Sequence, residues 1–350
     1  VSNEEYSPLR PTREQQHVAH RLRDKHTGLG SERRRTKSQH IAVLIEQGVE
    51  FLESAAASAV LTKPLALFYA AESLAKAACI FRVEAADATM FASHGLSGER
   101  KTKRYSIKNL ACRVQRPGRD VWSQLFREFN GDRVRIARQA NGEGFTHDWV
   151  NSYATKPLAK DSLLQLGELL RHLPELVDDL AFTTWGNAYV VHASNLWLID
   201  HAGPPATQEI HVTLRHGYDR RTKDMIVDRE SDLLKRFTRH RDAFDVLEYR
   251  MGPVPAGLSG PNLRLDVFGE PYMDFARGTC VFGELILYHA SLFILSDVVR
   301  YQPEQWLRLL DDHRDEAIVI ERFLDVAVRK LPNLILNELS EQLFMFKFAR

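Results

Sequence analysis

The stretch PLALFYAAESLAKA, Pro64 to Ala77, constrains the fold more than any other part of this 350-residue chain. It opens on proline, which suits the first turn of a helix because the missing backbone N–H would be unpaired there anyway. Leu67, Ala71, Leu74, Ala75 and Ala78 then recur at helical spacing. Tyr69, Glu72, Ser73 and Lys76 are polar-capable groups carried on the same rod. Glu72 and Lys76 stand one turn apart, the spacing of an i, i+4 ion pair. If this helix is buried, each charge needs a partner, and the pair can satisfy itself.

Composition narrows the class. Hydrophobic residues at 44% and charged residues at 27% describe an ordinary globular protein, long enough for two or three domains. The net charge of +1 supplies no global field for nucleic acid, so any basic surface is local. Cys79, Cys112 and Cys280 are far apart and include no C-x-x-C pair, which points to a reducing cytoplasm rather than to disulfides or a zinc cluster. Cys79 and Cys280 sit in apolar runs, as buried inert thiols do. The apolar run from Val281 to Val299 is interrupted by Glu284, His289 and Asp297, so no membrane partner is expected. Neither a phosphate-binding P-loop, nor a G-x-G-x-x-G turn, nor a G-x-S-x-G elbow is present.

Along the chain the order is helix, mixed β, then helix. Residues 1–37 read as a basic polar arm. Ser38 reads as an N-cap, and Ile41, Leu44, Ile45, Val49 and Leu52 give a helical stripe that pairs as a hairpin with the Pro64 helix. Helical readings follow from Asp120 to Phe129 and from Pro157 to Leu180, closing an N-terminal region of 38–180. The region 181–275 carries strand signals at Ala188–Ile199, Glu209–Leu214, Asp245–Tyr249 and Leu263–Phe268. Helices return at about 280–300, 303–311, 314–330 and 332–345 in a C-terminal region of 276–350. The late helices are apolar enough to need the early ones as partners. The expectation is a mainly α, α+β protein: a helical domain from both chain ends with a β-containing central insertion.

Three blocks carry a resemblance: the Pro64 helix, Ser93-His94-Gly95-Leu96, and the late apolar helix ending in Arg300-Tyr301-x-Pro303-x-x-Trp306. In identity and order they resemble the YaaC-like proteins, a bacterial family of unsettled biochemical function, over most of the chain from about Gln39. The first two blocks also look like the helix pair of HEPN domains, a group that includes RNA-cleaving toxins and nucleotide-binding modules. These resemblances imply a HEPN-like bundle and a binding or assembly protein that recognises a nucleotide, RNA or a protein partner, in bacterial defence or nucleotide metabolism and as a homo- or hetero-oligomer. The alternative they imply is a metal-independent HEPN-type ribonuclease acting as a dimer. No cofactor or metal is implied.

The HEPN nucleases place an arginine four to six residues before a histidine. Arg308 and His313 fit, as do Arg35 with His40 and Arg21 with His26. With 14 histidines in the chain, about four such pairs arise by chance, so the pattern carries little weight. His94 followed by Gly95 is the better candidate, since a histidine at a turn can donate to phosphate or act as a base near neutral pH. Bracing the helix hairpin is the simpler account of the same two residues. Lys101, Lys103, Arg104, Lys108 and Arg113 form the densest basic run and suit a phosphate backbone, although such runs are commonly solvated faces. Arg300, Tyr301, Pro303 and Trp306 read as a packing corner, with Arg300 reaching a carboxylate or a helix C-terminus. Histidines 192, 201, 211 and 216 show no metal-ligand spacing.

Overall fold

Helix α1 (Ser31–Ala57) turns Ile41, Ile45, Leu52 and Ala55 into one buried stripe. Helix α2 (Lys63–Arg82) carries Pro64 in its first turn and is buried almost all round, which accounts for its run of alanines. The structure is a computed structural model describing residues 25–26, 28–86, 91, 93–99, 106–140, 143–152, 158–201, 207–215, 238–243, 246–255, 263–274 and 282–340. Lys37 Nζ donates to the carbonyls of Val83 and Glu84, Ser73 bonds Gln47, and Phe51 stacks on Tyr69. Partners therefore rise in number on one helix as they fall on the other, and α1 and α2 form an antiparallel hairpin. By length and composition α2 could cross a bilayer, but 78% of that span is buried inside the protein, as in a core helix.

Two compact units divide the chain. The first unites Val1–Asn130, Thr155–Leu169 and Leu285–Gln342, so early and late helices build one helical body. It holds α1, α2, α3 (Val121–Phe129), α6 (Glu284–Tyr301, from Leu285 onward), α7 (Pro303–Asp312) and α8 (Arg314–Ser340). Tyr288 of α6 stacks on Phe323 of α8, and Lys63 of α2 pairs with Asp325 of α8 at 2.7 Å. A three-stranded antiparallel sheet joins β1 (Leu96–Gly98), β2 (Ala111–Val114) and β5 (Leu163–Gln165) in the order β1-β2-β5.

The second unit comprises Gly131–Ala154, Leu170–Glu284 and Leu343–Arg350. Its sheet runs β10-β11-β6-β7-β9-β8, with β3 joined to both β4 and β6. These strands are β3 (Gly131–Ala140), β4 (Glu143–Ser152), β6 (Val190–His201), β7 (Thr207–Arg215), β8 (Thr238–Ala243), β9 (Val246–Pro255), β10 (Leu263–Leu265) and β11 (Pro271–Asp274). Only the β3–β6 pairing is parallel among those described. Short helices α4 (Leu166–Leu170) and α5 (Val177–Ala181) lie in the chain between β5 and β6.

The mainly α, α+β class agrees with the sequence expectation. Several local readings need correction. Ser38 is no N-cap: α1 begins at Ser31 after Gly30, and Ser38 Oγ donates to the Arg35 carbonyl inside the helix. The helix read from Pro157 to Leu180 is instead β5, α4, a 3₁₀ turn at Pro174–Leu176 and α5. Leu163–Gln165 extends because β2 offers it a ladder, and Pro174 stops the helical stretch. The break read at Pro332 is absent, since α8 runs through it with Leu331, Pro332 and Ile335 buried. Tertiary burial there offsets a lost backbone hydrogen bond. Strands β3, β4, β8 and β11 escaped periodicity because charged and polar residues dilute their apolar positions.

A buried ionic network pins the second unit. Arg264 is fully buried and donates to Asp274 Oδ2 from Nε (2.9 Å) and Nη2 (2.8 Å), and to Asp132 Oδ2 from Nη1 (2.8 Å). Nη2 also reaches the Phe282 carbonyl, His172 Nδ1 meets Asp274 Oδ2 at 2.8 Å, and the Glu284 N–H donates to Asp132 Oδ1. One guanidinium thus ties β10, β11 and the start of β3. Arg264→Met should strand two buried carboxylates and destabilise this unit by about 3–5 kcal/mol, read as a lower urea midpoint. An unchanged midpoint would remove the network from the account of the fold.

Candidate functional site

The first unit is organised around a carboxylate. Glu72 sits mid-way along α2 with only 4% of its surface exposed. Its Oε1 meets His94 Nδ1 at 2.9 Å and Lys76 Nζ at 3.2 Å, and its Oε2 meets His289 Nε2 of α6 at 3.0 Å. Burial works to raise the Glu72 pKa, but the hydrogen bonds from His289 and His94, with the charges of His289 and Lys76, outweigh it and hold the carboxyl well below its ordinary value of 4.5. An ionised carboxylate only accepts, so both histidines donate to it. In its neutral form His94 therefore carries its proton on Nδ1 and presents the Nε2 lone pair outward. The Nδ1 of His289 is buried and has no hydrogen-bond partner among the described residues.

His94 lines an open cleft of about 540 Å³ whose walls also include Arg113, Phe293, Asp297, Arg300 and Tyr301. Phe68 and Phe293 pack on the His94 ring at centroid separations of 5.3 and 6.1 Å. The Arg300 guanidinium lies 5.6 Å over Phe68, and its Nε donates to the Ser296 carbonyl. The Arg300 Nη groups make no hydrogen bond to the described residues. Arg113 Nε donates to Glu99 and its Nη1 to the Asp161 carbonyl, so that side chain is held against the wall.

The backbone around His94 is fixed by the start of α3. The N–H groups of Val121 and Trp122, orphans of a first helical turn, donate to the carbonyls of Ser93 and His94. Asp120 caps the same turn, accepting from Ser123 N at 2.7 Å. Gly95 adopts φ +79°, and a Cβ there would fall 1.9 Å from Asp120 Oδ1. Gly98 meets the other wall: a Cβ would lie 2.0 Å from Asp297 Oδ2.

A model of the YaaC-like protein family matches residues 10–339. The chain belongs to that family. The match spans every described residue of the Glu72 cluster and its cleft. No curated protein and no solved structure gives a significant match to this YaaC-like chain.

The residues singled out from sequence separate into groups. His94, Glu72, Lys76, Gly95, Arg300 and Tyr301 converge on or behind the cleft. Tyr69 and Pro64 serve the helical hairpin and the start of α2, while Pro303 opens α7 and Trp306 is buried beneath it. Arg308 and His313 are absent from the His94 cleft: Arg308 is exposed on α7 and His313 follows that helix as its C-cap. Lys101, Lys103 and Arg104 lie outside the described residues, and Lys108 sits in a 3₁₀ turn (Ile107–Asn109). Cys280 also falls outside them, while burial pushes the Cys79 and Cys112 thiols far above their ordinary value. Among the described residues no three His, Cys, Asp or Glu are grouped as metal ligands would be.

His289, Phe293 and Asp297 were missed as site residues. Their signal was present, because His289 and Asp297 interrupt a long apolar helix that had to bury them.

Two outcomes follow from this geometry. Gly95→Ala meets both a positive φ and the Asp120 carboxylate, so it should lower the thermal midpoint by several degrees, as about 1–3 kcal/mol of strain would. Glu72 has a depressed folded pKa, so its contribution is complete above its ordinary value of 4.5 and is lost as pH falls below it. Glu72→Gln should therefore destabilise the protein at pH 7 and converge on the parent in acid, measured by denaturant unfolding across pH. A pH-independent difference would contradict the ionised assignment.

Proposed function

We propose that this YaaC-like protein is a binding protein for a phosphate-bearing ligand, a nucleotide or RNA, with the His94 cleft as its site. One observation carries the reading: a buried carboxylate fixes His94 by Nδ1 and leaves its Nε2 without a bond to the described residues, and the same open cleft is lined by Arg300 with its uncommitted Nη groups. A buried carboxylate with a strongly shifted pKa beside an open cleft is a recurrent feature of functional sites. An arginine fork, and an imidazole that in its protonated form donates from Nε2, suit phosphate oxygens. A role in a defence or nucleotide-metabolism assembly fits such a ligand. Binding of a labelled 12-nucleotide single-stranded RNA, by anisotropy, and of ATP, by calorimetry, tests the reading. His94→Ala and Arg300→Ala should each weaken binding about tenfold or more, the loss of one charge-assisted hydrogen bond. Binding of neither ligand by the parent, or unchanged binding by both folded variants, overturns it.

The orientation of His94 favours a second reading, metal-independent RNA cleavage. The Nε2 lone pair takes the proton of a ribose 2′-hydroxyl, and that oxygen attacks the adjacent phosphorus. The bond to the 5′-oxygen breaks, that oxygen takes a proton from solvent, and His94 later returns its own, leaving a 2′,3′-cyclic phosphate. The buried Glu72 stabilises the imidazolium in between, as the aspartate of a catalytic triad does. Incubation of total RNA with the protein in EDTA should give cleavage that is lost in His94→Ala and retained in His313→Ala. Cleavage that survives His94→Ala excludes this role.

A further inference from the structure

The His94 cleft is not isolated on its unit. A second open depression of about 580 Å³ is walled by Tyr301, Gln302, Pro303, Glu304, Arg308 and Asp312 on the surface of α7. Tyr301 lines both. It closes α6 at the point where Gln302 breaks the helix and Pro303 starts the next, and it is 56% exposed. On one side the Arg300 guanidinium lies 5.3 Å from its ring centre, within the His94 cleft. On the other, Arg308 is exposed in the second depression and makes no ion pair or hydrogen bond with the described residues.

An exposed aromatic shared by two depressions, with one of these arginines lining each, suits successive units of a single-stranded nucleic acid: a base on the ring, phosphates on the cations. A mononucleotide fills one depression and leaves the other empty. Arg308 lines the second depression and not the His94 cleft, so it serves a neighbouring nucleotide rather than the one at His94. Trp306 and Leu309 are buried beneath this surface and set the side of α7 that faces outward.

Resting on the phosphate-ligand reading above, we infer that the ligand class is a single-stranded nucleic acid spanning both depressions, with Tyr301 as its stacking platform and Arg308 as its second phosphate contact. The test uses the full chain with a labelled 12-nucleotide oligouridine, with UMP and a 12-base-pair RNA duplex as competitors. The oligouridine should bind at least tenfold more tightly than UMP, and the duplex should compete poorly because its bases are already stacked. Tyr301→Ala should weaken oligouridine binding about tenfold, and Tyr301→Phe should restore it. Arg308→Ala should lower the slope of log affinity against log salt by about one. Equal affinity for UMP and oligouridine, or a silent Tyr301→Ala, overturns this inference and leaves the phosphate-ligand reading standing. Failure of the parent to bind either ligand overturns both.

Discussion

Burial of the Glu72 carboxylate inside α2 sets the terms for the rest of the first unit. A charge in that position is tolerated only when several donors reach it, and those donors come from three places: Lys76 one turn along the same helix, His94 in the turn beyond it, and His289 in the late helix α6. The acceptor therefore ties an early helix to a late one as well as holding a histidine. Packing is arranged to match. Phe68 contacts the rings of both histidines and lies under Arg300, so the apolar wall and the polar cluster are one assembly.

The turn at His94 shows how local chemistry supports that interaction. Gly95 takes the positive φ, Asp120 caps α3, and the first N–H groups of α3 hold the backbone carbonyls on either side of the His94 peptide. An imidazole whose two ends are both constrained, its backbone by a helix start and its Nδ1 by a carboxylate, keeps one ring nitrogen for another partner. Bracing the helices and serving a ligand are thus compatible roles for His94, since the Nδ1 contact does the first and Nε2 remains for the second. The second unit uses a related device to a different end. Its Arg264 cluster is closed on all sides by protein acceptors, which suits a structural role.

Much of the helical body was legible from periodicity. The stripe from Ile41 to Leu52, the Pro64 helix and the Pro303 start all express one-dimensional rules of spacing and capping. Where those rules failed, a tertiary partner had overridden them. Leu163–Gln165 became a strand because β2 lay beside it, Pro332 stayed helical because its neighbours are buried, and β3 hid because its charged residues mask an alternating pattern. The candidate site was half visible. His94, Gly95, Glu72 and Arg300 stood out by residue type, whereas the Arg308–His313 pair matched a motif that chance supplies easily.

The sequence by itself determined the family, the α+β class, and which helices had to be buried, because these depend on local spacing and on apolar content. It could also show that Glu72 needed a partner, and Lys76 was the partner in reach along the chain. Only the tertiary structure decided that His94 and His289, 195 positions apart in sequence, share that carboxylate. The same holds for the placing of Tyr301 between two depressions. Such pairings arise when separate helices pack, and the free energy that selects them is the burial of a charge, which no one-dimensional pattern records.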